Sequence, residues 1–119
     1  MHNYKELKIW SKAIDISLIV YQLVNNFPES EKFNLSSQIR RSAISIPSNI
    51  AEGAGRNSDK EFIRFLSIAK GSCYELQTQI LISHKLNFIT DEDNKTINAS
   101  IDEIEKMIRG FQTKLKSNV

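Results

Sequence analysis

Two histidines, one cysteine and a few polar side chains are the residues of this sequence that could do chemistry. Di-iron and di-manganese sites in helical bundles use inward glutamates together with Glu-x-x-His pairs. Neither His2 nor His84 has a glutamate three residues before it. One class of four-helix nuclease needs an arginine four to six residues before a catalytic histidine. No arginine precedes His84 at that spacing. The sequence therefore predicts no metal site, no cofactor and no nuclease centre.

The candidate nucleophiles are Ser45 and Cys73, and neither has the neighbours that catalysis needs. A serine nucleophile requires an adjacent base, and no histidine shares the helical face of Ser45. Cys73 lies on an apolar helical stripe, which is typical of a small buried core residue. Because it is the single cysteine, it excludes an internal disulfide and suits a reducing compartment. We therefore expect a cytoplasmic protein without catalytic residues.

The segment EGAGR at 52–56 has two glycines two positions apart, which faintly resembles a phosphate-binding loop. No strand pattern precedes the segment, and no third glycine opens the next helix, so the dinucleotide-binding motif is excluded. The segment is interpreted as a turn between two helices.

Polar residues recur at three- and four-residue steps just before this turn, around a proline, and we call them the polar ladder. This spacing places them on one helical face beside the apolar stripe. Two interpretations stay open. The face is solvated, or it is buried in a network where Arg41, Asn49 and Glu52 pair with each other and with backbone groups freed near Pro47, helped by contacts between copies of the chain. The candidate assembly or network residues are Gln38, Arg41, Ser45, Pro47, Asn49 and Glu52.

Four segments with helical periodicity position these residues, at 4–26, 34–52, 58–87 and from 90 onward. Only 4 glycines and 2 prolines occur in 119 residues, as is typical of an all-helical chain. Short connections make neighbouring helices antiparallel. The sequence predicts one domain, 1–119, of the all-α class: an antiparallel up-and-down four-helix bundle with a proline-kinked second helix. The clearest stripe is in the fourth segment: Ile97, Ile101, Ile104, Ile108, Phe111 and Leu115.

Local signals predict where the helices begin, end and approach each other. Pro47 removes a backbone donor and crowds the carbonyl of Ala43, so a kink is expected there. Gly53 is predicted to end the second helix. Gly71 and Ser72 are small residues in the middle of the third helix, where another backbone can come close. Capping boxes are predicted at three helix starts: Asn3 with Glu6, Ser58 with Glu61, and Thr90 with Asp93.

Membrane insertion is not expected. The apolar run at 16–24 is interrupted by Ser17, Tyr21 and Gln22 and is too short to span a bilayer. The first ten residues, MHNYKELKIW, are charged and do not resemble a signal peptide.

Basic residues are unevenly distributed, although the net charge is only +2. They outnumber acids between residues 38 and 70, and the first helix carries a stripe of lysines. Such an excess indicates contacts with phosphates, while ordinary solubilising lysines remain the alternative. The candidate nucleic-acid-binding residues are Lys5, Lys8, Lys12, Arg40, Arg56, Lys60 and Arg64.

Long motifs in this chain carry a resemblance to a known family. They are QIRRSAISIPSNIAEG at 38–53, FIRFLSIAKGS at 62–72 and ELQTQI at 75–80, preceded by YKELKIW at 4–10. The chain resembles the four-helix bundle proteins encoded in intervening sequences of bacterial 23S rRNA genes, which are also called ribosomal-protein-like. That family is related to accessory proteins of diversity-generating retroelements. The resemblance implies a four-helix bundle that assembles into a homo-oligomer, with a pentamer as the first expectation.

Two classes of function stay open at this point. One is a nucleic-acid-binding module, for RNA first and DNA second, that acts through phosphate contacts. The other is a protein-interaction scaffold or accessory subunit for a neighbouring gene product. The partners expected from the sequence are therefore further copies of the chain, a nucleic acid, and such a gene product.

Overall fold

The fold consists of four long helices in a computed structural model that describes residues 1–118. The helices are α1 (Lys8–Val24), α2 (Leu35–Ala54), α3 (Asp59–Lys85) and α4 (Asp91–Lys116). Short 3₁₀ turns precede α1 and α2, and no strand occurs within residues 1–118. The predicted all-α class with four helices is confirmed.

Side-chain pairings give the order in which the helices pack. The Gln112 amide in the second half of α4 donates to the carbonyl of Ile63 in the first turns of α3, and His84 near the end of α3 meets Asp91 at the start of α4. Ser72 of α3 donates to Ser45 of α2 over 2.8 Å. These pairings are compatible with neighbouring antiparallel helices, and the up-and-down arrangement of the whole bundle stays a prediction. The bundle measures 46 × 24 × 20 Å.

One hydrophobic cluster with members from every helix fills the space between them. In α4 the predicted stripe is buried except for Phe111, which is half-buried against the cluster. No helix among residues 1–118 is long and apolar enough to cross a membrane. The main buried residues are Ile9, Ala13, Ile16 and Val20 of α1, Ile39, Ala43, Ile46 and Ile50 of α2, Phe62, Leu66, Ala69, Cys73, Leu76 and Ile80 of α3, and Ile97, Ile101, Ile104 and Ile108 of α4.

Two of the three predicted N-terminal caps are found at the starts of long helices, α3 and α4. The hydroxyl of Ser58 accepts a hydrogen bond from the Glu61 backbone N–H, and Thr90 accepts one from Asp93. Asn3 instead caps the 3₁₀ turn Tyr4–Glu6. Leu7 has an extended backbone conformation, and α1 begins after it without a side-chain cap. The expectation of one continuous first helix from residue 4 was therefore wrong.

Helix α2 continues through Pro47. Proline has no backbone N–H, so the carbonyl of Ala43, four residues earlier, loses its usual helical partner. The hydroxyl of Ser17 in α1 lies 3.2 Å from that carbonyl oxygen and 2.9 Å from the Ala13 carbonyl oxygen in its own helix. The single proton of this buried hydroxyl is shared between the two carbonyls, so the neighbouring helix supplies part of the donor that the proline removed. The bend at Pro47 stays a prediction.

The glycines differ from their predicted roles. Gly53 does not end α2 but lies buried in its last turn, where a Cβ atom would come within 2.7 Å of the Phe65 Cβ and 2.8 Å of the Phe62 Cδ1. The close approach of α2 and α3 therefore depends on this position. Gly71 has open space around it, because apart from its own turn of helix no atom lies within 4 Å of the place that a Cβ atom would occupy. The expectation of close packing at Gly71 was wrong, whereas Ser72 does contact α2.

Candidate functional site

The turn between α2 and α3 gathers basic side chains around one aromatic ring. The guanidinium of Arg56 lies 4.8 Å from the centre of the Phe65 ring, and that of Arg64 lies 4.9 Å from it. Arg56 also pairs with Glu52 over 3.3 Å, which holds its side chain at the end of α2. Lys60 is exposed in the first turn of α3. Three of the predicted nucleic-acid-binding residues therefore lie in this turn or at the start of α3.

The N-terminal segment brings further lysines to the same end of the bundle. The His2 backbone N–H donates to the carbonyl of Ala54 over 2.8 Å, and the His2 ring lies 3.1 Å from a carboxylate oxygen of Asp59. These contacts fasten the segment that carries Lys5 to the α2–α3 turn. Lys8 follows as the first residue of α1, and both lysines are exposed. We call Lys5, Lys8, Arg56, Lys60 and Arg64 the basic end.

Two predicted residues lie outside the basic end. Lys12 pairs with Glu103 of α4, and this pairing holds the pKa of the Glu103 carboxyl below its usual range. Arg40 lies in the first half of α2 with its guanidinium 5.5 Å from the Tyr21 ring centre. About 21 Å of helix separates Arg40 from the end of α2 at Ala54. The predicted set of seven is therefore one cluster of five with two separate residues.

Part of the polar ladder, namely Gln38, Arg41 and Ser45, lines a groove between α2 and α3 with a volume of about 320 Å³. Ser45 is the centre of its hydrogen bonds, because it accepts from the Asn49 side-chain amide over 2.9 Å and from Ser72 over 2.8 Å. Gln38 donates to Asn34 and is exposed. The groove is lined by Gln38, Arg41, Ser42, Ser45, Ser72, Glu75 and Gln79.

The remaining ladder residues and Arg41 do not form the predicted network. Glu52 pairs with Arg56, and Asn49 donates to the carbonyl and hydroxyl of Ser45. Arg41 is exposed and forms no ion pair with any of residues 1–118. Within one chain, Arg41, Asn49 and Glu52 therefore do not pair with each other. Pro47 is buried against α1. The solvated interpretation describes Gln38, Arg41 and Glu52, and the buried interpretation describes Ser45 and Asn49 in part. A role of this face in assembly stays a prediction.

Sequence reasoning missed two polar residues that the fold brings into use. Ser17 was seen only as an interruption of an apolar run, yet it reaches the carbonyl freed by Pro47. Gln112 lies between positions of the α4 stripe and is only 6% exposed. Its amide bonds to Ile63, Ser67 and Lys70 of α3. The sequence signal that could have indicated a buried Gln112 is its position directly after Phe111, a member of the apolar stripe of α4.

The described residues offer little for covalent or metal chemistry. No group of three or more His, Cys, Asp or Glu side chains within residues 1–118 is placed to hold a metal ion. Burial, with a smaller contribution from the nearby Glu105 carboxylate, raises the pKa of the Cys73 thiol to about 12. The thiol is therefore neutral near pH 7 and is a poor nucleophile.

Known proteins resemble this chain in sequence and in fold. The model of the family described as 23S rRNA-intervening sequence protein matches residues 5–110. A crystal structure of a protein with unknown function from the S23 ribosomal protein family of Bacteroides thetaiotaomicron VPI-5482 superposes with a TM-score of 0.79 at 28% identity. That match covers 87% of this chain and 97% of the other. A search of curated proteins found no match. Since the family match spans most of the sequence, the chain belongs to the 23S rRNA-intervening sequence protein family.

Proposed function

We propose that this chain is a non-enzymatic nucleic-acid-binding module, for RNA first, which acts as a homo-oligomer with a pentamer as the first expectation. The observation that carries the proposal is the basic end. Five cationic side chains from the N-terminal segment, the start of α1, the α2–α3 turn and the start of α3 lie at one end of the bundle. Cationic side chains on such a surface bind phosphates, and the affinity comes mainly from release of counterions.

The arrangement at Phe65 supports this proposal. Two guanidinium groups lie against one ring, so their positions are restricted by packing before any ligand binds. Guanidinium groups can hold a phosphate through two parallel hydrogen bonds. Restricting these long side chains in advance reduces the entropy lost on binding.

Assembly would explain how a chain with a net charge of only +2 binds a polyanion. A ring of copies repeats the basic end once per subunit, and linked sites bind more tightly than single ones. Sequence preference should be slight, because contacts to phosphates position a protein without reading bases.

The test measures fluorescence polarisation of a labelled RNA hairpin and a single-stranded DNA over a range of salt concentrations. The test variant is Lys5→Gln, Lys8→Gln, Lys60→Gln, which changes three exposed lysines of the basic end. We expect weaker binding to all sequences alike and a flatter salt dependence, by about 0.7 in log–log slope for each lost contact on single strands.

The matched control is Lys32→Gln, Lys85→Gln, Lys95→Gln, which removes the same charge from exposed lysines at the opposite end of the bundle. Its salt slope should equal that of the unchanged protein. Equal losses in both triple variants, or no binding at low salt by folded protein, would contradict the proposal.

The second candidate function is a protein-interaction scaffold for a neighbouring gene product. The observation in its favour is a set of exposed aliphatic side chains, since a partner could cover them. Leu18 of α1 is 61% exposed and Leu81 of α3 is 47% exposed. Folded protein that binds neither nucleic acid at low salt would favour this scaffold.

A further inference from the structure

A groove between α3 and α4 carries four positive charges that lie outside the basic end. It has a volume of about 520 Å³. Lys70 comes from α3, and Lys106, Arg109 and Lys116 come from the second half of α4. Gly110 and Thr113 complete its exposed wall, and no carboxylate of residues 1–118 lines it. We call this groove the α3–α4 groove.

The position of Lys70 in this groove is fixed by a buried amide. The Gln112 side chain donates from its nitrogen to the Ile63 carbonyl over 3.1 Å and to the Ser67 hydroxyl over 2.9 Å. Its oxygen is left to accept from the Lys70 ammonium over 3.1 Å. Since the amide is almost completely buried, its two donor bonds determine which way the oxygen faces. The fold therefore holds a lysine at the groove before any ligand arrives.

Arg109 keeps part of its guanidinium available. Its Nε pairs with Glu105, a carboxylate that also accepts from the Tyr74 hydroxyl. A guanidinium has five N–H donors, so the two terminal nitrogens remain for a ligand. Apart from its own turn of helix, Gly110 has no atom within 4 Å of where a Cβ would lie, so close packing within the chain does not account for this helix-interior glycine. It leaves space beside the cations.

Stabilisation of the helix dipole does not account for the whole set. That effect acts within the last turn of a helix, which includes Lys116. Lys106 and Arg109 lie well before the last turn of α4, and Lys70 belongs to another helix. Four cations collected from two helices along one groove need a different explanation.

We propose that the α3–α4 groove binds consecutive phosphates of a single RNA strand. The positions from Lys106 to Lys116 span about 15 Å of helix, which suits a linear polyanion better than one isolated phosphate. The groove adjoins the start of α3, because Gln112 contacts Ile63 next to Arg64 of the basic end. One strand can therefore run from the groove onto the basic end. The identity of the ligand rests on the function proposed above.

The test compares two double variants in binding to a labelled single-stranded RNA and, by calorimetry, to inorganic tripolyphosphate. The groove variant is Lys106→Gln, Lys116→Gln, and both side chains are exposed, so folding should be unaffected. The control is Lys95→Gln, Lys114→Gln, which removes the same charge from exposed positions of α4 that do not line the groove. Thermal unfolding checks that both variants are folded.

We expect the groove variant to bind RNA several-fold more weakly, with a log–log salt slope flatter by about 1.4, because two phosphate contacts are lost. Tripolyphosphate binding should fall in the same variant and remain in the control. If the unchanged protein binds RNA and both variants weaken that binding equally, the proposal that the α3–α4 groove binds RNA is wrong. The proposed nucleic-acid-binding function would then still stand. Groove-dependent binding of tripolyphosphate without any RNA binding would overturn the RNA function and support a phosphate site alone.

Discussion

At the scale of single residues, the contact between Ser17 and Ala43 compensates for a proline inside a helix. Pro47 would leave the Ala43 carbonyl without its helical donor, and this carbonyl lies in the core, where an unpaired polar group is costly. The Ser17 hydroxyl reaches it from the neighbouring helix. A serine that interrupts the apolar face of α1 therefore has a structural role that depends on Pro47.

Ser17→Ala should lower the free energy of unfolding by about 1–3 kcal/mol, because the Ala43 carbonyl is then buried without a donor. In a Pro47→Ala background the backbone N–H at position 47 can donate to that carbonyl, so the same change should cost less. Urea unfolding of the four proteins gives the coupling between the two positions. Ser83→Ala is the control, since Ser83 is buried but donates only to the Gln79 carbonyl of its own helix. Identical costs of Ser17→Ala in both backgrounds would contradict the assignment.

At the scale of the elements, α2 and α3 approach closely at one glycine, while two other helical glycines are left open. Gly53 packs so closely against Phe62 and Phe65 that an added Cβ atom would overlap with their side chains. Gly71 and Gly110 have no such neighbours. The helical sequence alone does not distinguish these positions, because glycine lowers helix stability at each of them in the same way.

Gly53→Ala should destabilise the fold by about 1–3 kcal/mol, since the added carbon must displace the Phe62 and Phe65 side chains. Gly71→Ala is the matched substitution at an open position, and it should stabilise the fold by about 0.5–1 kcal/mol because alanine favours the helix. Chemical denaturation measures both differences. If Gly71→Ala were destabilising, another chain or segment would have to lie against Gly71.

At the scale of the whole molecule, the two ends of the bundle carry different sets of charged side chains, and the carboxylates of Glu6, Glu52, Asp59 and Glu61 lie at the same end as the cations of the basic end. The basic end lies where α2 meets α3, and the α3–α4 groove adjoins it. The opposite end carries five acids of the turn before α2 and of the first turn of α4, together with Lys32, Lys85 and Lys95; the acids are Glu29, Glu31, Asp91, Glu92 and Asp93. Copies arranged with their long axes parallel would place the basic ends of all subunits on one face of the assembly.

We expect light scattering to report an oligomer, with five times the mass of the chain as the first expectation. Arg41→Glu should reduce that mass if the groove between α2 and α3 forms a contact between copies, because Arg41 is an exposed cation lining this groove. Lys95→Glu makes the same charge reversal at an exposed position of α4 and should leave the mass unchanged. A monomer at the concentrations used for binding would contradict the expectation.

The sequence by itself determined the features that depend on neighbouring residues in the chain. The apolar stripe of α4 follows from helical periodicity, and the caps at Ser58 and Thr90 follow from hydrogen bonds that span three residues. Five of the seven predicted basic residues share one end, although the sequence could not tell them from Lys12 and Arg40.

Only the tertiary structure decided which helices meet and which atoms face each other across them. The donor for the Ala43 carbonyl lies 26 residues away along the chain, and the amide that holds Lys70 lies 42 residues away. Such partners depend on the packing of whole helices, which local periodicity does not encode. For the same reason, only the fold separates a tightly packed Gly53 from an open Gly71 and brings cations of α3 and α4 into one groove.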